Sequence, residues 1–277
     1  MIKINQSEYT LMTKFIEEQC GICLAKNKEF LIESRLSDLA IETGCKSFNA
    51  FHLKAKSDNS GKLKERIVDA MTTNETLWFR DVNSWKYLKE VAIPDLITKA
   101  EKGEKIRIWS AAASTGQEAY SLLIMFHEAI KKIRKLHLLD KLEIVGTDIS
   151  TSSLFLAMSA RYNQMAMSRG MPEDIKKTYF TQKEHVWEFD QELKKRVKFK
   201  NFNLLNSFAT LGKFDLILCR YVAIYFSDSF RTKLFSKIAR ALNPEGVLLL
   251  GATESVRGFT EEFKISHYKN VVINKIR

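Results

Sequence analysis

The sequence predicts an α/β protein made of an amino-terminal helical domain, an open parallel sheet with helices on both faces, and a small β insertion. Three observations lead to this prediction. Residues 7–73 repeat apolar side chains at helical spacing and contain no strand-like run. After Gly103, short apolar runs alternate with long helical segments, which is typical of a parallel sheet. Residues 163–200 interrupt that alternation with short, charged, strand-like pieces.

The elements after Gly103 follow one another in the order that a parallel sheet requires. Four short apolar runs are the predicted strands: Lys105–Ser110, Leu142–Thr147, Phe214–Cys219 and Gly246–Gly251. Three long segments between them are the predicted helices: Gln117–Leu138, Ser150–Ala160 and Ser227–Leu242.

The domain boundaries follow from these elements. We place the helical domain at residues 1–80 and the sheet domain at 81–277, with the insertion at about 163–200. Residues 82–102 add a helix that is interrupted near Pro94, because proline lacks the N–H that a helix interior needs. The last segment, 262–276, is predicted to be a hairpin of two strands.

The composition excludes several classes of protein. With 277 residues, 45% of them hydrophobic and 28% charged, the chain is typical of a soluble globular protein. No apolar run approaches the roughly 18 residues of a membrane helix, and the first residues lack an apolar signal core. The four cysteines form no disulfide framework, which favours a reducing cytoplasm. We expect no metal site, and we interpret Cys20 and Cys23 as buried thiols of one helix face.

The net charge of +11 favours an acidic partner, such as nucleic acid, an anionic membrane or an acidic protein. Residues 1–80 are nearly neutral, so the positive charge lies in the rest of the chain, with dense patches at 131–135 and 194–200. Charge alone does not choose among these partners.

The turn after the first predicted strand, Ser110–Glu118, consists largely of small residues. Ligands of open parallel sheets bind at such turns, where the carboxyl ends of the strands meet. The glycine pattern of dinucleotide sites is absent, which makes an NAD-dependent oxidoreductase a remote alternative. A ligand with a nucleoside and an amino-acid tail, such as S-adenosylmethionine, fits better, although tight helix packing would also explain the small residues.

Asp148 ends the second predicted strand. An acidic residue here accepts hydrogen bonds from ribose hydroxyls, and we favour this role over that of a helix N-cap, for which Ser150 is better placed.

Four stretches carry the strongest functional signal. They are Thr72–Asp81 (TTNETLWFRD), Ile108–Ser121 (IWSAAASTGQEAYS), Gly146–Ser150 (GTDIS) and Phe214–Phe226 (FDLILCRYVAIYF). In order and spacing they resemble the chemotaxis-receptor glutamate methyltransferases, the CheR-type family. The resemblance extends from about residue 10 to the carboxyl end and includes the β insertion.

The resemblance implies a Rossmann-like S-adenosylmethionine-dependent methyltransferase that esterifies glutamate side chains on receptor helices. It also implies that Arg80 and Tyr225 border the methyl group and the incoming carboxylate. The cofactor contacts that it implies are Asn74, Thr76, Arg80, Glu118, Asp148, Asn203, Leu204, Arg220 and Tyr221.

The implied partners are the cytoplasmic helices of methyl-accepting chemoreceptors and a receptor tail at the β insertion. We expect no nucleic-acid partner, no membrane insertion and a monomer. Receptor docking is expected on the helical domain, where Arg35, Lys62, Lys64 and Arg66 offer a local basic face.

The sequence departs from the family pattern at two positions. Gln117 replaces a Glu, and Tyr221 stands where the family usually has Asn. These departures keep open a catalytically silent protein of the same fold that binds S-adenosylmethionine. A nucleic-acid methyltransferase is a further alternative, motivated by the net charge.

Overall fold

The computed structural model describes residues 2–277, which begin with a bundle of four helices. The first helix has a capping box, because the Asn5 side chain accepts from the Glu8 N–H while the Glu8 carboxylate accepts from the Asn5 N–H. Buried apolar side chains of all four helices form a core of their own, including Met12, Ile32 and Phe51. The helices are α1 (Gln6–Cys20), α2 (Glu29–Glu42), α3 (Phe48–Ser57) and α4 (Lys62–Met71).

The sheet domain is built on seven strands, five of which are parallel. A π-helical turn, Leu88–Ala92, ends two residues before Pro94 and confirms the helix interruption predicted there. The strands of this sheet are β1 (Ile106–Ala111), β2 (Leu142–Asp148), β6 (Val197–Asn201), β7 (Phe214–Cys219), β8 (Leu242–Leu250), β9 (Phe263–Tyr268) and β10 (Val271–Ile276). The larger helices are α5 (Val82–Tyr87), α6 (Ile93–Glu101), α7 (Gln117–Lys132), α8 (Thr151–Ser159) and α12 (Asp228–Ala241).

The strand order is β6-β2-β1-β7-β8-β10-β9, and the hairpin β9–β10 is the antiparallel part. One apolar core lies on each face of the sheet, as expected for strands covered on both sides. The chain order reverses at β1, whose neighbours are β2 and β7, so the carboxyl ends of these three strands frame a crevice. The fold is therefore the predicted Rossmann-like sheet behind a helical domain.

The insertion is smaller than the predicted range 163–200. Its sheet has the order β3 (Arg161–Asn163), β5 (Val186–Phe189), β4 (Phe180–Lys183). The strand β6 instead pairs in parallel with β2 of the main sheet. The last part of the range thus extends the main sheet. The elements of the insertion are β3 (Arg161–Asn163), α9 (Gln164–Ser168), α10 (Glu173–Tyr179), β4 (Phe180–Lys183) and β5 (Val186–Phe189), and α11 (Gln191–Lys194) follows.

The segment between the helical domain and α5 packs against the insertion. Trp78 is fully buried, and its backbone N–H donates to the Arg169 carbonyl. Gly170 makes this approach possible: it has a φ of +91°, and a Cβ atom there would lie 2.3 Å from the Trp78 carbonyl oxygen. None of the helices within residues 2–277 combines the length and the apolar character that crossing a bilayer requires.

Candidate functional site

A cavity opens at the carboxyl ends of β1, β2 and β7. It holds about 970 Å³ of space free of protein atoms, part of it open to solvent. Its walls come from the turn after β1, from residues 72–80, and from Cys20 and Ile22 of the helical domain. All ten residues that the sequence analysis selected line it: Asn74, Thr76, Arg80, Glu118, Asp148, Asn203, Leu204, Arg220, Tyr221 and Tyr225.

The backbone around this cavity is unusually strained. Five non-glycine residues with positive φ lie in the loops that form it or directly flank Arg80: Phe79, Asp81, Ala112, Ser114 and Tyr221. Such conformations cost free energy, and they persist where the surrounding structure fixes them, most often at functional sites. The strain therefore supports a functional role for the cavity independently of the sequence motifs.

Asp148 is held at the end of β2 by two backbone donors. Its Oδ2 accepts from the Ser114 N–H at 2.7 Å, and its Oδ1 accepts from the Ser150 N–H at 2.9 Å. Burial raises the pKa of the Asp148 carboxyl above its usual value, although these hydrogen bonds oppose the shift. The N-cap of α8 is Ser150, whose Oγ accepts from the Ser153 N–H. Asp148 thus lines the cavity with its carboxylate fixed by the backbone, and it is not needed as a helix cap.

Arg220 joins two carboxylates at the cavity wall. Its Nη1 donates to Glu118 at 2.9 Å, and its Nη2 donates to Asp81 at 2.8 Å and to the Arg80 carbonyl at 2.6 Å. Glu118 also accepts from the Ser110 hydroxyl at 2.8 Å. Burial acts to lower the pKa of Arg220, but the charges of the two carboxylates outweigh it, and the pKa is raised. Arg220 is therefore a buried, permanent cation.

The Nε–H of Arg220 is buried and has no hydrogen-bond acceptor among residues 2–277. Leaving a charged donor unpaired in a buried place is costly, and such groups are normally satisfied. Arg220 lines the cavity as a residue, but this nitrogen is closed off from solvent.

Arg80, Tyr221 and Tyr225 are three members of the cavity lining. The guanidinium carbon of Arg80 lies 3.5 Å from the centroid of the Tyr221 ring, and the Tyr221 hydroxyl donates to Asp81 at 2.6 Å. Tyr221 therefore belongs to the wall and leaves the cavity open. The Tyr225 carbonyl accepts from the Cys23 N–H, which fixes this loop to the helical domain.

The segment 203–204 lies next to the helical domain. The Asn203 amide donates to the Gln19 carbonyl at 2.7 Å, and its Oδ1 accepts from the Leu205 N–H. Leu204 and Phe202 are buried apolar neighbours in the wall, which suits a flat, weakly polar ring.

Asn74 and Thr76 are half-buried members of the segment 72–80. The Asn74 carbonyl accepts from the Ser114 hydroxyl at 2.8 Å, which joins this segment to the turn after β1. Gln117, the other departure from the family pattern, lies outside the cavity lining, and its Oε1 accepts from the Thr115 hydroxyl.

Two carboxylates that build the site were not among the residues predicted from the sequence. Asp81 lies at the end of a selected stretch but received no role, and it is the partner of both Arg220 and Tyr221. Glu254 accepts from the N–H groups of Tyr221, Val222 and Gly251. The only signal for Glu254 was its place just after the last parallel strand, at the edge where ligands bind.

Cys23 is exposed, so the prediction that both thiols of the Cys20–Cys23 pair are buried is wrong for Cys23. The helix ends at Cys20, and Cys23 follows in the connecting segment. Within residues 2–277, no three His, Cys, Asp or Glu side chains are arranged to bind a metal ion.

Two family models match the chain. The model described as "CheR methyltransferase, all-alpha domain" matches residues 7–72, and "CheR methyltransferase, SAM binding domain" matches residues 74–272. Together these matches span both the helical bundle and the sheet domain.

Curated relatives extend over nearly the whole chain. Chemotaxis protein methyltransferase 1 of Pseudomonas aeruginosa is 40% identical over 260 residues, which are 94% of each protein. The chemotaxis protein methyltransferase of Vibrio parahaemolyticus is 38% identical over 277 residues, which are 100% of this chain and 99% of that protein. Cher2 of Pseudomonas putida is 38% identical over 252 residues, 91% of each.

Proposed function

Because the chain belongs to the CheR methyltransferase family, we propose that it methylates glutamate side chains on the helices of chemoreceptors, forming glutamyl methyl esters. Methylation of chemoreceptors with S-adenosylmethionine is the family's activity, and esterification of glutamate is the part that we propose here. The single observation that carries the proposal is that all ten selected residues line one cavity.

The donor groups of the cavity fit S-adenosylmethionine. Arg220 and Glu118, which both line the cavity, would face the carboxylate and the ammonium group of the methionine end. Asp148 would accept from the ribose hydroxyls, while Phe202 and Leu204 would pack against the adenine. When bound, the cofactor supplies a sulfonium methyl group that an oxygen nucleophile can take.

The proposed substrate requires little acid–base chemistry from the protein. A glutamate side chain, with a pKa of about 4.3, is already an anion at neutral pH, so no general base is needed. The protein must place one carboxylate oxygen on the line of transfer and exclude water, and good alignment alone supplies effective molarities on the order of 10⁵–10⁸ M. We assign this placement to Arg80, whose planar guanidinium can bind a carboxylate through two parallel hydrogen bonds, and to Tyr225 beside it.

The test is methyl transfer to a receptor. The protein is incubated with S-adenosylmethionine labelled in the methyl group and with a chemoreceptor signalling domain, and we expect base-labile label on glutamate. Receptor domains in which candidate glutamates are changed to alanine provide the control. Label on nucleic acid instead, or bound cofactor with no transfer to any receptor domain, would contradict the proposal. The second result would indicate a catalytically silent protein that binds S-adenosylmethionine without transferring its methyl group.

We also propose how the receptor is held. The receptor helices would dock on the helical domain, and an extended receptor tail would pair with an edge of the small sheet, where β3 and β4 each pair only with β5. Removing the tail from a receptor should weaken binding; if the affinity is unaltered, the tail is not held here. The cytoplasmic location, the monomeric state and the domain boundary at residue 80 stay predictions.

A further inference from the structure

Tyr221 occupies a position where an aromatic ring changes the surroundings of Arg80. The distance from the Arg80 guanidinium carbon to the ring centroid is 3.5 Å, well within the range of cation–π contact, whereas the corresponding distance from Arg220 is 5.7 Å. The ring therefore stacks on Arg80, the residue to which we assign the incoming carboxylate.

The ring is fixed at its hydroxyl end. The Tyr221 hydroxyl donates to Asp81 Oδ2 at 2.6 Å, and the same oxygen accepts from Arg220 Nη2 at 2.8 Å. Because the Arg220 side chain is only 2% exposed and is held by Glu118 as well, Asp81 is a firm anchor for the hydroxyl.

The ring is also fixed at its backbone end. Tyr221 has a φ of +57°, which is strained for a bulky residue, and the Glu254 carboxylate stabilises it by accepting from the Tyr221 and Val222 N–H groups at 2.6 and 3.1 Å. Gly251 provides the space: a Cβ atom there would lie 3.0 Å from Cδ1 and Cε1 of the ring. These contacts fix the position of the Tyr221 ring.

Arg80 itself has few other restraints. Its guanidinium makes one long hydrogen bond, from Nη1 to the Glu75 carbonyl at 3.3 Å. Among residues 2–277, no carboxylate lies within ion-pair distance of it. Its charge is therefore free to bind an acidic group, and the Tyr221 ring is the main feature that orients it.

We propose that Tyr221 is a positioning residue that holds the Arg80 guanidinium in the orientation that receives the substrate carboxylate. The inference deepens the proposed function and rests on it for the identity of the acceptor. Asparagine, the usual residue of the family here, has no ring to stack on Arg80, so this chain uses a different way of orienting that group.

The kinetic test compares three variants at saturating S-adenosylmethionine. Tyr221→Leu and Tyr221→Asn remove the ring and should lower kcat by roughly 3- to 30-fold, the range that loss of a cation–π contact produces. Tyr221→Phe keeps the ring and should retain kcat within roughly threefold of the wild type. Tyr268→Leu, which removes an aromatic ring on β9 outside the cavity lining, is the matched control and should leave kcat unchanged.

The affinity for the cofactor separates positioning from general damage. It should change less than kcat does in all three Tyr221 variants, because the ring, although it is part of the cavity lining, acts mainly through Arg80. In an Arg80→Ala background, Tyr221→Leu should cause no further loss of kcat, because the group that the ring orients is gone. Equal losses in the Phe and Leu variants, a fully active Asn variant, or additive losses with Arg80→Ala would each overturn the proposal.

A spectroscopic measurement tests the inference without methyl transfer. In the ¹⁵N-arginine-labelled protein, the Nε–H proton of Arg80 should show an upfield ring-current shift that the Phe variant keeps and the Leu variant loses. If wild-type protein transfers no methyl group but shows this shift, the proposed function fails and the stacking stands. If the Arg80 signal is the same in the wild type and the Leu variant, the positioning role is wrong even when transfer is normal.

Discussion

Replacing Arg220 by methionine should strongly destabilise the protein. The change removes a cation that is 2% exposed and leaves the carboxylates of Glu118 and Asp81, 13% and 23% exposed, facing each other. Removing one partner of a buried ion pair costs about 3–5 kcal/mol of unfolding free energy. Arg220→Lys should cost about 1.5–3 kcal/mol, because an ammonium keeps the charge but cannot span both carboxylates.

The measurement is urea unfolding at pH 7 without cofactor, followed by circular dichroism. Arg66→Met is the matched control, because Arg66 and its partner Glu42 are both mostly exposed and their pairing should matter little. A loss below about 1 kcal/mol for Arg220→Met, with an unchanged dependence on urea, would refute the reasoning.

The loss of unfolding free energy in Arg220→Met should depend on pH. Burial acts to raise the pKa of Asp81, but the hydrogen bond from Tyr221 and the charge of Arg220 outweigh it, and the pKa is lowered. A carboxyl group whose pKa is lowered by folding stabilises the protein above its unfolded pKa of about 3.9, and this stabilisation is lost as the pH falls through the folded value. Without Arg220, burial raises the pKa of the uncompensated carboxyls in the folded variant, so the stability gap between wild type and Arg220→Met should begin to narrow above about pH 3.9, as these groups take up protons, and should go on narrowing toward the lowered folded pKa of Asp81 in the wild type. A gap that stays constant down to the acid limit of folding would contradict the assignment to Asp81.

Three further predictions concern other parts of the chain. Asp148→Ala should weaken cofactor binding by about 1.5–3 kcal/mol in calorimetry, and unchanged affinity would remove Asp148 from the site. Gly170→Ala should lower the free energy of unfolding by about 1–3 kcal/mol more than Gly103→Ala. Both glycines have a φ of +91°, but only at Gly170 would the added Cβ lie 2.3 Å from a backbone carbonyl oxygen. Equal losses would contradict the close packing. A thiol reagent at pH 8 should modify exposed Cys23 first, since the other three thiols are buried and burial raises the pKa of Cys20 to about 11; simultaneous modification of all four would contradict the burial pattern.

Much of the sheet could be predicted because its strands are short, apolar and separated by long amphipathic helices. The run Phe214–Cys219 is a strand with the predicted bounds, and all six residues are buried, including Asp215, which pairs with Lys99. The strand β6 was harder to assign. Its alternation of Val197 and Phe199 with lysines fits an edge strand of either sheet, and only the pairing with β2 distinguishes them.

The cavity lining could be predicted where a motif places a side chain at the end of a strand, as for Asp148, or in the first turn of the helix that follows a strand, as for Glu118. The partners of these side chains could not, because a hydrogen bond between distant segments leaves no local pattern. Asp81 and Arg220 are 139 positions apart, and Glu254 follows Tyr221 by 33. The stacking of the Tyr221 ring on Arg80 also left no local pattern, because the two residues are 141 positions apart.

The wall that Cys20 and Ile22 share with the sheet domain has a thermodynamic consequence. Ile22 forms a bridge with Phe226, and Asn203 donates to Gln19, so the end of the first helix and the lining of the cavity are one connected surface. If occupancy of the cavity strengthens or weakens binding of any molecule to the four-helix bundle, that molecule must change the cofactor's affinity by the same factor. Receptor and cofactor are then reciprocal effectors, and measuring either affinity in the presence of the other reports how tightly the two domains are coupled.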